Sequence, residues 1–277
     1  MVGGTKVHER GPESSQPYRP YPVDWRFLPE EFLILKDFAR APLSDLSNTI
    51  ARQPGLRRLW TASLGRRTLN SISRAGVLFI HVTKAGGTSI SQCLYGRNLP
   101  HYSASFYQSV FPARITQLPS FAIIRHPVER FISTYAFLRA GGSDVMACDR
   151  IQRRRMGELA SIDTVVDHLH AKSRALSPLP AAFQRQCDYV VGDDDSVLVD
   201  RLFSLNRAEG FSPELGRWLG RPIVPHINAT GSESISISEE SRRKVGEIYS
   251  RDFALYRALV ANGGHLDVEG ARHRLAS

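Results

Sequence analysis

Apolar residues in this chain alternate between short unbroken runs and longer stretches of helical period. Residues 77–82 are apolar except for His81, and residues 121–124 are apolar throughout. Runs of this length suit strands buried on both faces of a parallel sheet. Residues 188–191 read as a third strand. Between and after these runs the period changes. Ile90, Cys93 and Leu94 share one side of a helix, and Val128, Phe131, Ile132, Tyr135 and Leu138 mark the buried stripe of a second. Further helices are predicted over 161–170, around 197–205, and over 212–219, where Ser212 caps and Pro213 opens the first turn. A last helix over 239–261 carries Val245, Ile248, Tyr249, Phe253 and Tyr256, with Ser236 and Glu239 at capping-box spacing. Strands alternating with helices predict an α/β fold with a central parallel sheet flanked by helices on both faces.

Outside this alternation the chain changes character. Residues 1–23 are polar and rich in Gly, Ser and Pro, and are expected to be disordered. Residues 24–75 read as a helical N-terminal extension with Phe27, Phe32, Leu35 and Phe38 as its first apolar positions. Its basic part, Leu56 with Arg57, Arg58, Arg66 and Arg67, reads as a helix packed on its own domain in preference to one lying on anionic lipid. Residues 76–262 form the main domain and 263–277 a tail. No run of about 20 apolar residues occurs and no secretory leader is recognised, so no transmembrane segment is expected and a cytoplasmic location is.

Charge narrows the partners without choosing among them. Lys and Arg total 36 against 27 Asp and Glu, a formal net charge of +9, which favours an anionic ligand, a membrane surface or nucleic acid. The basic residues are scattered and no nucleic-acid motif is present, so no nucleic-acid partner is expected. Cys93, Cys148 and Cys187 form no CxxC pair, which argues against a cysteine zinc site and for free thiols; pairing of Cys148 with Cys187 stays open.

The candidate chemistry lies at the ends of the first two strands. Val77-Leu-Phe-Ile-His-Val-Thr-Lys-Ala-Gly-Gly-Thr-Ser-Ile90 reads as strand, glycine turn and helix N-terminus. Backbone N–H groups at such a turn point outward, and the helix dipole adds positive potential. Gly86 and Gly87 let the backbone approach an anion, Lys84 adds a full charge, and Thr88 and Ser89 offer hydroxyls. An ordinary strand-to-helix turn would carry the same glycines, so the second segment decides. It is Arg125-His-Pro-Val-Glu-Arg-Phe-Ile-Ser-Thr-Tyr135, in which Arg125 at a strand end can grip a phosphate with two N–H groups and Ser133 can share it. Arg130 and Ser133 are expected to point away from the apolar stripe. The first segment is not a Walker A loop, whose lysine follows its glycines. The second places a cation where a magnesium-dependent nucleotidase needs a carboxylate. Together they predict a nucleotide bound through phosphates at two places, with no metal.

KxGGTS after one strand and RxPxxRxxSxY after the next resemble the phosphosulfate loop and the 3′-phosphate motif of sulfotransferases, most closely the branch of carbohydrate sulfotransferases and their bacterial relatives. Three later segments resemble that family in order: Phe183-Gln-Arg-Gln186-Cys-Asp-Tyr189, Pro225-His226-Ile-Asn228-Ala-Thr230, and Asp252-Phe-Ala-Leu-Tyr256. The resemblance spans roughly residues 77–260. It implies a P-loop-like sheet and 3′-phosphoadenosine 5′-phosphosulfate (PAPS) as donor. It implies that Lys84, Ala85, Gly86, Gly87, Thr88 and Ser89 hold the 5′-phosphosulfate and that Arg125 and Ser133 hold the 3′-phosphate, without metal. The acceptor it implies is a hydroxyl, on a carbohydrate at the level of the branch. The chain departs from the pattern at Thr83-Lys84-Ala85, where many relatives have Pro-Lys-Thr, and at His126, where many have Asn; the lysine and arginine charges are kept.

Transfer also needs a base for the acceptor hydroxyl, and histidine suits neutral pH. Of nine histidines, His101, beyond the first helix, is the first choice. His81 reads as a core histidine, His126 as one that orients the nucleotide, and His168, His170 and His226 as residues that can face the acceptor. The run Arg153-Arg154-Arg155 reads as a solvated face ahead of a contact to an anionic acceptor. A P-loop-type kinase and a nucleotide-binding protein without catalysis are the alternatives.

Overall fold

The structure, a computed structural model, describes residues 65–111, 113–143, 146–147, 161–176, 179–205, 212–220, 223 and 235–268. The expectations for residues 1–23, for most of 24–75, for Cys148, for the arginine run at 153–155 and for the loop at 225–230 lie outside these residues.

The core element is a four-stranded mixed sheet in the order β1-β2-β3-β4, flanked by helices: β1 is Leu78–Ile80, β2 Ser120–Ile124, β3 Arg201–Ser204 and β4 His265–Asp267. β1, β2 and β3 run parallel, with Phe79 opposite Phe121 and Ala122 opposite Leu202. β4 runs antiparallel to β3, with Leu202 opposite Leu266. The expected all-parallel sheet is therefore corrected at its edge, and the fourth strand comes from residues assigned to the tail. A separate two-stranded ribbon, Gly142–Ser143 with Met146–Ala147, follows the second motif.

Strand alternation builds two cores at once. Leu78, Ile80, Ala122, Ile124 and Leu202 enter one cluster, and Val77, Phe79, Phe121, Ile123 and Phe203 enter another. Successive side chains of a strand point to opposite faces, so unbroken apolar runs mean burial on both sides. Helix α1, Gly65–Ala75, supplies Leu69 and Ile72 to the first cluster. Helix α2, Gly87–Tyr95, supplies Ile90 and Leu94 to the second, while Cys93 is exposed and does not belong to its buried side. Helices α3, Ala104–Val110, and α4, Ala113–Thr116, close the connection to β2. At the start of β2, Asp200 Oδ2 accepts from the N–H and the hydroxyl of Ser120 at 2.7 and 2.8 Å, pinning the register with β3.

The remaining helices correct several boundaries. Helix α5, Pro127–Arg139, buries Val128, Phe131, Tyr135 and Leu138 in a third cluster with helix α6, Ile162–Arg174, which Ser161 caps by accepting from Thr164 N–H. Residues 187–190 form a short helix, α7 (Cys187–Val190), and not a third strand. Their apolar side chains are buried, and such a short run does not distinguish helix from strand by period. The strand lies later, at β3, within the span predicted helical around 197–205. Helix α8, Ser212–Leu219, lies where its Ser-Pro start predicts. The single last helix is two: α9, Glu239–Ile248, and α10, Ser250–Ala261, with Tyr249 between them at φ −113° and ψ 28°. The cap of α9 is Ser238, which accepts from Ser241 N–H, and not Ser236. Among the described residues no helix is long and apolar enough to cross a membrane.

Phe121 is fully buried between the rings of Phe79, Phe203 and Trp218. Phe121→Ala is expected to cost about 3–5 kcal/mol, read as a lower midpoint of urea unfolding.

Candidate active site

β1 delivers the chain into a turn of unusual backbone. Lys84 takes φ 58° and Gly86 φ 77°, both left-handed, before α2 begins at Gly87. Glycine enters this region without penalty, but a lysine there costs roughly 1–2 kcal/mol. Asp195, at φ 60°, is a second charged residue in this left-handed region. Thr88 and Ser89 are half-buried in the first turn of α2, and Ala85 is buried.

The Lys84 ammonium lies 4.4 Å from the centre of the Phe137 ring on α5. Burial, then the nearby Arg125 charge, brings its pKa down to about 8. Arg125 emerges from the end of β2 beside the same turn, with one guanidinium nitrogen 3.5 Å from Lys84 O and Nε 3.5 Å from Glu129 Oε2. Two cations thus stand close enough to destabilise one another's charge, an arrangement that an anion between them relieves.

Arg130 departs from expectation. It does not point to solvent but is 1% exposed and reaches beneath the turn. It donates to Gln184 O at 2.7 Å and to Thr83 Oγ1 at 3.4 Å, and it lies over the ring of Tyr249. Ser133, one turn further along α5, is likewise buried at 2%. A buried arginine or serine leaves no apolar signal in the helical period, so the sequence does not reveal this burial.

Two histidines lie beside the turn, with His81 against Gly87. His101 is half-buried, with its ring centre 4.1 Å from that of His81. His101 Nδ1 lies 2.8 Å from His81 O, and His81 Nδ1 lies 2.8 Å from Leu99 O. A carbonyl only accepts, so each Nδ1 carries hydrogen and each neutral ring holds its lone pair on Nε2. Burial above all keeps both imidazoles below their usual pKa, His81 well below; the proximity of His101 adds to this for His81 and the Lys84 charge for His101, and only the hydrogen bonds to carbonyls oppose it. His81 is buried as a core histidine should be, and it also shapes the turn. The structure therefore brings Lys84, Arg125 and His101 to the α2 N-terminus.

The other histidines are placed elsewhere. His126 packs edge-on against Phe253 and Tyr256. His170 Nε2 lies 2.6 Å from Glu247 on α9, and His168 is exposed on α6. Cys187 is a free thiol, its pKa pushed up by burial. Among the described residues no group of three or more His, Cys, Asp or Glu side chains is placed to hold a metal ion. No family model, curated protein or solved structure matches the chain.

The glycine of the turn is tested directly. A Cβ on Gly87 would lie 2.2 Å from His81 Cδ2 and 2.6 Å from His81 Nε2. Gly87→Ala is expected to displace the histidine pair and to lower stability by about 1–3 kcal/mol in urea unfolding.

Proposed function

We propose that the chain is a sulfotransferase on a P-loop-like α/β sheet, with PAPS as donor and a hydroxyl, carried by a carbohydrate, as acceptor. The observation that carries this reading is the meeting of Lys84, Arg125 and a neutral His101 around a left-handed glycine turn at a helix N-terminus. Paired cations at the ends of adjacent parallel strands suit a ligand with two separate anionic groups.

The chemistry is a displacement at sulfur. The acceptor oxygen forms a bond to sulfur while the bond from sulfur to the bridging oxygen breaks, and its electron pair leaves on the 5′-phosphate of adenosine 3′,5′-bisphosphate. Lys84 stabilises the charge that grows on the bridging oxygen. The N–H groups at Gly87, Thr88 and Ser89 hold the sulfonate. His101 Nε2 takes the acceptor proton, and His81 O holds the imidazole in the tautomer this requires. Arg125 and Ser133 hold the 3′-phosphate.

Two measurements test the reading. In calorimetric titration without magnesium, adenosine 3′,5′-bisphosphate is expected to bind more tightly than adenosine 5′-monophosphate, and Arg125→Ala to lose that preference. Equal binding of the two nucleotides, or activity that requires magnesium, sinks the proposal in favour of a kinase-type protein. Lys84→Ala is expected to lower the transfer rate by about 10²–10³.

The pH profile has a definite sign. Lys84 loses its proton as pH rises through about 8, so transfer falls on that side. His101 gains a proton only below its usual value near 6.5, so the acid limb lies below that pH. Lys84→Arg is expected to remove the alkaline limb.

A further inference from the structure

Gln186 and Asp252 belong to segments that the chemistry above leaves unused, and both lead to the backbone of Arg125. The pairing of β2 with β3 ends where Leu205 N–H donates to Ile124 O at 2.7 Å. One residue later a side chain takes over. Arg125 N–H donates to Gln186 Oε1 at 2.9 Å, and Gln186 Nε2 donates to Arg125 O at 2.7 Å. A primary amide offers one donor and one acceptor at the spacing a neighbouring peptide would offer, so Gln186 acts as a substitute rung for the missing strand.

Gln186 is itself held. It is 0% exposed, and its backbone N–H donates to Asp252 Oδ2 at 2.8 Å, while the N–H of Cys187 donates to Asp252 Oδ1 at 3.0 Å. Asp252 is also 0% exposed, on α10. A buried carboxylate accepting two backbone N–H groups is a rigid anchor. The guanidinium of Arg125 sits at the end of a long side chain, so a small rotation of its backbone is magnified there. Displacement of about 1 Å at a binding group is enough for a hundredfold loss of function.

We propose that Gln186 and Asp252 are positioning residues that fix the backbone of Arg125 and thereby set the preference for a nucleotide carrying a 3′-phosphate over one without it. This rests on the sulfotransferase reading for the identity of the ligand. A purely structural role would lower stability and weaken both nucleotides together; positioning removes the difference between them.

The experiment titrates wild type, Gln186→Met, Gln186→Glu and Asp252→Asn with adenosine 3′,5′-bisphosphate and with adenosine 5′-monophosphate, alongside thermal unfolding. Wild type is expected to prefer the bisphosphate, and Gln186→Met to reduce that preference at least tenfold. Gln186→Glu, which keeps the acceptor and loses the donor, and Asp252→Asn are expected to fall between. In an Arg125→Ala background, Gln186→Met is expected to cause no further loss. A wild type without preference overturns the ligand reading and this proposal with it. A wild-type preference that survives in folded variants overturns this proposal alone. Should the variants not fold, hydrogen exchange on the wild-type protein reads the same contact: the Arg125 amide is expected among the slowest, and exchange at the rate of a surface amide overturns the proposal.

Discussion

The buried guanidinium of Arg130 is the constraint around which the site is organised. Burying a cation costs several kcal/mol unless its N–H groups find partners and its charge is answered. Arg130 draws contacts from three parts of the chain, Thr83 in the turn after β1, Gln184 before α7, and Tyr249 between α9 and α10, while its Nε has no hydrogen-bond partner among the described residues. Tyr249 in turn donates its hydroxyl hydrogen to Phe183 O at 2.8 Å. Each of these segments is irregular backbone, which needs something other than helix or sheet to hold it. The arginine supplies that and also leaves positive charge beneath the turn.

The two histidines show how neutral groups complete a cationic site. His81 presses its ring against Gly87 and passes its backbone carbonyl to His101. A charged imidazole at either place would add to the repulsion already present between Lys84 and Arg125. Burial keeps both rings neutral, and the two carbonyl partners fix which nitrogen keeps its lone pair. Two cationic side chains and two imidazoles kept below their usual pKa thus meet at one glycine turn.

Much of this was legible in the sequence because it depends on local pattern. The unbroken apolar runs at β1 and β2 report burial on both faces, and KxGGTS and RxPxxRxxSxY mark the turns that follow them. What was not legible depends on contacts between distant residues. Residues 188–191 read as a strand because Tyr189, Val190 and Val191 form a short apolar run, but the N–H of Cys187 is held by Asp252, 65 positions away, and that contact favours a helical turn. The burial of Arg130 and Ser133 on α5 is not legible in the sequence, since a side chain that is polar and buried is invisible to periodicity. Strand β4 was missed because three residues after a Gly-Gly turn carry little pattern, and their partner is on β3.

The order of the sheet also bears on synthesis. β2 lies between β1 and β3, and Ser120 at its start is fastened to Asp200, 80 residues further on. The edge strand β4 pairs only once residues 265–267 exist. On the ribosome, β1 and β2 are complete while the far edge of β2 still has no neighbour, and an open apolar strand edge invites the wrong partner. The sheet that carries the turn after β1 is therefore complete only when residues 201–204 and 265–267 have joined it.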